Sequence, residues 1–226
     1  TRKSRTLLVI DPEDKSVLED YIKTYQADLR KEYSGTDTGI KVTSVSQGKN
    51  TIPALTMISK EKVVFFLMNV PYGIEKMSGE IEGLVETSNN IGILKLNEKE
   101  MAASCGVRSS VGSAKLYVSE KIQYLTEFLG GEYTVEGDYP AWEYKKDSKL
   151  REIMVDSYKE LFGEEPCVKA IHAGLECGLF YDKIPGLDCV SYGPTMKDIH
   201  TTEEKLSISS TARMWDYLVK VLENIH

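Results

Sequence analysis

The chain has 226 residues, and its 41% hydrophobic and 28% charged content is that of a folded globular protein rather than a disordered one. No apolar run approaches the roughly 18 residues of a membrane span, and no basic-then-apolar leader opens the sequence, so neither a transmembrane nor a secreted protein is expected. With 35 acidic against 28 basic side chains the net charge is −7, which disfavours nucleic-acid and anionic-membrane binding because both need a concentrated basic face.

Arg5 to Ile10 is a short apolar run that stops at Asp11-Pro12, a helix-start signature, and it predicts a strand. Val17, Leu18, Tyr21, Ile22, Tyr25 and Leu29 follow at three- and four-residue spacing, which predicts an amphipathic helix ending before Ser34-Gly35. Alternation from Ile40 to Val45 predicts another strand, so the opening reads as a helix packed on a small sheet. Lys62 to Val70 fits two forms: its β-branched and aromatic residues favour a strand, while its continuous apolar character fits a buried helix. Ile81 to Leu96 is strand-rich, with Asn89-Asn90 dividing it into two pieces. Val111 to Leu129 has a helical period and stops at Gly130-Gly131. Tyr133 to Tyr144 reads as extended, punctuated by Pro140.

At Asp147-Ser148 the texture changes. Ser148 caps a predicted helix carrying Leu150, Ile153, Met154, Tyr158 and Leu161, which ends at Gly163. Short strands are expected at 168–171 and 188–192, and a last helix from Ser207 to Asn224. The fold class is therefore mixed α/β, with a domain boundary near residue 146 that separates 1–146 from 147–226.

Four cysteines, Cys105, Cys167, Cys177 and Cys189, without a CxxC pair make no disulfide framework, and a reducing cytoplasm is the expected compartment. Of the three histidines, His226 ends the chain and His200 sits in a polar stretch between a predicted strand and the last helix. A loop histidine so placed suits metal ligation or proton transfer, and equally suits a surface position beside a helix start. His172 and Glu176 are four apart in IHAGLECG, a spacing that would put both on one helical face as a metal pair needs. Gly174 and Gly178 weaken a helix there and favour close backbone approach to a ligand. Arg108, in GVRSS, carries a planar fork that matches a carboxylate; its bland reading is a solvated surface arginine. No GxSxG, HExxH or phosphate-loop motif occurs.

The run IHAGLECGLF (171–180), followed by PGLDCVSYGPTMKDIHTTEEKLSISSTARMWDYL (185–218), is similar to the C-terminal signature of the aminoacyl-histidine dipeptidases. GLVETSNNIG (83–92), VRSS (107–110) and DYPAWEYKKDS (138–148) fall in that family's order and spacing, so the resemblance covers nearly the whole chain. It implies a cytoplasmic metallopeptidase that cleaves Xaa-His dipeptides such as carnosine, using two zinc ions, with manganese or cobalt as alternatives. It also implies a lid-type sheet-and-helix domain over 1–146, followed by the C-terminal segment of a zinc-peptidase-like α/β catalytic domain over 147–226. By resemblance, His200 matches the last metal ligand, in a motif where Thr202 and Glu203 replace Pro and Asp while Glu204 keeps its place. Arg108 matches the lid arginine that holds the substrate's C-terminal carboxylate. Gly174 matches a loop whose backbone approaches the substrate, with His172 and Glu176 beside it.

The same resemblance puts the other metal ligands, the bridging aspartate and the general-base glutamate upstream of Thr1, so this chain corresponds to a C-terminal portion, inactive alone and without a complete metal site. Its implied partners are the small dipeptide substrate, the missing N-terminal half and further copies of itself. Two other readings stand beside this one. The chain could be a non-catalytic lid-type binding or dimerisation module, or His172, Glu176 and His200 could form a self-contained mononuclear site.

Overall fold

The computed structural model describes residues 3–49, 52–170 and 175–225. Among them are six α-helices and five strands, divided between two compact units: Thr1–Glu61 with Asn97–Glu100, and Lys62–Leu96 with Met101–His226.

In the first unit a 3₁₀ turn at Pro12–Asp14 leads into α1 (Lys15–Glu32), the helix that the spacing from Val17 to Leu29 predicts. The strands expected on either side of it do not pair; 5–10 and 40–45 belong to no ladder, and α1 buries none of its residues. The Gln26 carboxamide takes the place of a neighbouring strand. Its Nε2 donates to the Ile40 carbonyl at 3.1 Å and its Oε1 accepts the Val42 N–H at 2.6 Å, which ties that stretch to α1 without a ladder. Asn97 Oδ1 accepts the N–H groups of Lys99 and Glu100 and so shapes the tight turn Asn97–Glu100.

The second unit is organised around a three-stranded antiparallel sheet of β1 (Gly73–Met77), β2 (Val85–Leu96) and β3 (Met101–Ser109), with β2 central. The ambiguous segment 62–70 is helical as far as Asn69, within α2 (Met57–Asn69), whose start is capped by the Thr56 hydroxyl accepting the Ser59 N–H at 3.1 Å. Tertiary packing overrides the β-propensity here. Phe66 and Val70, four apart, are buried with Val118 and Ile122, four apart on α3 (Gly112–Phe128), and with Ile91, Cys105 and Val107 of the sheet. Gly130 follows α3 at φ 82°, the left-handed stop that the sequence marks.

Asn89-Asn90 does not divide β2. Asn89 stays in the ladder opposite Val107 because its buried carboxamide donates to the Pro71 carbonyl at 2.6 Å. The strand β3 is the principal element that the sequence pattern does not announce.

After residue 147 the chain forms α4 (Lys149–Phe162), between the predicted Ser148 cap and Gly163 at φ 68°. The Ser148 hydroxyl accepts the Arg151 N–H at 3.1 Å and donates to Asp188 Oδ1 at 2.7 Å. Asp188 Oδ2 accepts the Leu150 N–H at 3.1 Å, so two of the helix's orphan donors are satisfied. α4 packs on α6 (Ile208–Asn224) through buried Met154, Tyr217 and Val221, joined by Tyr158 and Phe162. The Tyr217 hydroxyl donates to the Met154 carbonyl at 2.8 Å, giving the ring's polar end a partner inside this small core. The short α5 (Glu176–Lys183) docks through buried Gly178, where a Cβ would come within 2.9 Å of the Pro140 carbonyl oxygen. Of the expected strands at 168–171 and 188–192, Ile171 lies outside the described residues and the rest make no ladder; β4 (Met196–Lys197) and β5 (Lys205–Leu206) form a separate two-stranded hairpin.

Candidate functional site

The two faces of the three-stranded sheet differ in kind. Alternation along β2 sends Thr87, Asn89 and Ile91 toward α2 and α3, and sends Glu86, Ser88 and Asn90 to the other side. Arg108 is directly opposite Ser88, and Gly106 directly opposite Asn90, so these four share the face that the helices leave open. The serine next to Arg108 in sequence turns away: the Ser109 hydroxyl meets Thr87 Oγ1 at 2.9 Å and accepts the Val111 N–H. Arg108's neighbour on its own face is Ser88, a cross-strand partner that the GVRSS run cannot reveal.

An acidic group on this face is already engaged. The Glu86 carboxylate lies 2.9 Å from Lys76 Nζ. Among the described residues no hydrogen bond or ion pair engages the Arg108 guanidinium, and none engages the Asn90 carboxamide. An exposed, unclaimed guanidinium on a rigid strand is suited to an anionic group brought from outside, above all a planar carboxylate.

His200 lies between β4 and β5, on a turn held in a left-handed conformation at both Asp198 (φ 54°) and His200 (φ 66°). The His200 N–H donates to Glu204 Oε2 at 2.9 Å, and the Thr201 hydroxyl donates to the Asp198 carbonyl at 2.7 Å. Glu204, which keeps its place in the expected motif, thus shapes the turn that presents the imidazole. Glu176 is the first residue of α5, after an extended Leu175 (φ −124°, ψ 155°). His172, Gly174 and His226 lie outside the described residues. No hydrogen bond or ion pair among the described residues joins any two of Arg108, Glu176 and His200.

Among the described residues no three His, Cys, Asp or Glu side chains gather into a group that could hold a metal ion. A dinuclear centre needs several nitrogen or oxygen ligands on each ion and a bridge, and one imidazole with a carboxylate already committed to a backbone N–H does not meet that need. The four cysteines are free, and burial pushes the thiols of Cys105, Cys177 and Cys189 above the ordinary range. Such thiols are poor nucleophiles.

The profile of Peptidase family M20/M25/M40 matches residues 12–224. The chain belongs to that family. The cytosol non-specific dipeptidase of Escherichia coli (strain K12) is 30% identical over 224 residues, which are 99% of this chain and 46% of the relative. The crystal structure of the aminoacylhistidine dipeptidase from Vibrio alginolyticus superposes with a TM-score of 0.84 at 33% identity, over 95% of this chain and 44% of that one. The aminopeptidase PepT from Bacillus cereus ATCC 10987, at 17% identity and a TM-score of 0.55 over 74% of this chain and 45% of that one, shares the fold alone. The M20 chain therefore spans about half the length of the relatives it matches. The resemblance to the aminoacyl-histidine dipeptidases read from the sequence stands, and so does the mixed α/β, lid-type class. No helix among the described residues is long and apolar enough to cross a membrane.

Asn90 is the residue on the open face that sequence reasoning passes over. No alternation singles it out, since all five residues of ETSNN are polar, and an Asn-Asn pair reads first as a turn.

Proposed function

We propose that this chain is the C-terminal portion of a cytoplasmic, metal-dependent dipeptidase acting on Xaa-His dipeptides. In this reading residues 1–146 are lid and 147–226 return to the catalytic domain. Support for the division comes from the two hydrophobic clusters of the second unit, one built before residue 146 and the other after it. Arg108 holds the substrate's C-terminal carboxylate and so orients the scissile bond. His200 contributes one ligand to a metal centre whose other ligands and general base come from polypeptide beyond these residues. Zinc, manganese or cobalt would serve there. The hydrolytic step itself belongs to those outside groups, and the roles of His172, Gly174 and Glu176 are confined to the substrate's surroundings.

The observation that supports this reading best is the unclaimed Arg108 guanidinium on the open sheet face of a chain with this family membership. The test is hydrolysis of carnosine by the purified chain with added zinc, manganese or cobalt. It is run alone and again with the non-overlapping half of the Escherichia coli relative, supplied in trans or fused. No turnover alone and turnover in the assembly is the expected result, with Arg108→Ala raising KM for the dipeptide by about tenfold or more. Turnover by the chain alone would instead promote the self-contained site of His172, Glu176 and His200. Silence in both arms would leave the lid-type binding or dimerisation module.

A further inference from the structure

The open face of the sheet holds two unclaimed polar side chains rather than one. Arg108 faces Ser88 across the β2–β3 ladder, and Asn90 lies two residues along β2 from Ser88, which makes Asn90 the diagonal neighbour of Arg108 at about 7–8 Å. Neither side chain has a hydrogen-bond partner among the described residues, although both are exposed on a sheet whose other face is packed. The surroundings keep that carboxamide clear. Gly106 stands directly opposite Asn90 on the same face, and a Cβ on Gly92 would come within 3.8 Å of Asn90 Nδ2. Glycines at both places leave room for a ligand lying flat along β2.

We infer that Asn90 is a specificity-determining residue that reads the side chain of the substrate's C-terminal residue, hydrogen-bonding an imidazole ring while Arg108 holds the carboxylate. The inference rests on the reading of Arg108 as the carboxylate anchor. In a C-terminal histidine the ring is attached two bonds from the carbon that bears the carboxylate, so a ligand held by the guanidinium carries its ring toward a diagonal neighbour rather than a distant one. A neutral imidazole has one N–H donor and one bare acceptor nitrogen. A carboxamide offers both complements, so Asn90 satisfies whichever nitrogen the ring presents, without fixing its protonation state as a carboxylate would. An aliphatic side chain in the same place gains nothing from Asn90 and leaves the carboxamide to water.

The test is binding of N-acetyl-L-histidine and N-acetyl-L-leucine to the 226-residue chain, followed by side-chain amide and guanidinium NMR signals. Acetyl-histidine should move the signals of both Asn90 and Arg108, whereas acetyl-leucine should move Arg108 alone. Asn90→Ala should weaken acetyl-histidine about tenfold and leave acetyl-leucine unchanged, while Arg108→Ala abolishes both. Asn90→Leu, which keeps the shape and loses both polar ends, serves as the second variant and should also weaken acetyl-histidine more than acetyl-leucine. Equal loss for the two ligands, or no loss for acetyl-histidine, overturns the role of Asn90 while leaving Arg108 as anchor. Failure of the unaltered chain to bind either ligand overturns the anchor reading and the inference with it.

Discussion

Gly178 shows how one missing methyl group sets a contact. Its position in the first turn of α5 demands no unusual backbone angle; what it supplies is space, since a Cβ would stand 2.9 Å from the Pro140 carbonyl oxygen and 3.5 Å from the Trp142 Cβ. Backbone on the far side cannot swing away as a flexible side chain would. Gly178→Ala is therefore expected to cost about 1–3 kcal/mol, measured as a lower urea midpoint with an unchanged denaturant slope. In the sequence Gly178 reads as a helix breaker or a site of close approach to a ligand. The close approach is real, but its partner is the chain's own 140–142 segment. Arg108 was legible as a residue type matched to carboxylates, whereas its release from local partners was not. That release depends on Ser109 turning to Thr87 and on Lys76 engaging Glu86, neither of which spacing can express.

At the scale of elements, the α4 cap offers the clearest arithmetic. Burial opposes the charge on Asp188, but the Ser148 hydroxyl, the Leu150 N–H and the nearby Lys145 and Arg151 charges outweigh it and hold the carboxyl below its ordinary range. A carboxylate with a depressed folded pKa adds stability that is complete above its unfolded value of about 3.9 and is lost as pH falls through the lower folded value. Ser148→Ala is expected to destabilise by about 1 kcal/mol at neutral pH. Asp188→Asn should show a shallower loss of stability than the parent between about pH 4 and pH 2, read from thermal midpoints across that window. Helices with explicit stop and start chemistry, α3, α4 and α6, were readable from the sequence to within a residue or two. Among the strands only β2 was, since 81–96 reads as strand-rich and pairs as Val85–Leu96. Strand pairing depends on what lies opposite, so 5–10 and 40–45 look like strands and stay unpaired, while 101–109 looks unremarkable and pairs along its length.

At the scale of the whole molecule, α6 has apolar groups on more than its packed side. Met214, Tyr217 and Val221 face α4, yet Ile208, Trp215 and Leu222 recur at seven-residue intervals and are 87%, 66% and 60% exposed. A helix apolar on two sides belongs in a layer covered from both, and exposed patches of this kind drive association. The purified chain is accordingly expected to self-associate, with a scattering mass that rises with concentration. The double substitution Trp215→Glu with Leu222→Glu should restore the monomer mass. A concentration-independent monomer of 25.4 kDa from the unaltered chain would count against this expectation.

The Ser148–Asp188 pair carries a consequence for how the molecule comes into being. The first turn of α4 is completed by a carboxylate that is encoded 40 residues later. At about 5–20 residues per second on the ribosome, α4 leaves the machinery some seconds before the group that closes its amino end has been made. During that interval the helix has only the Ser148 hydroxyl to hold its start. A pause in translation within 163–188 would prolong this unfinished state, and a fast run through the same codons would shorten it.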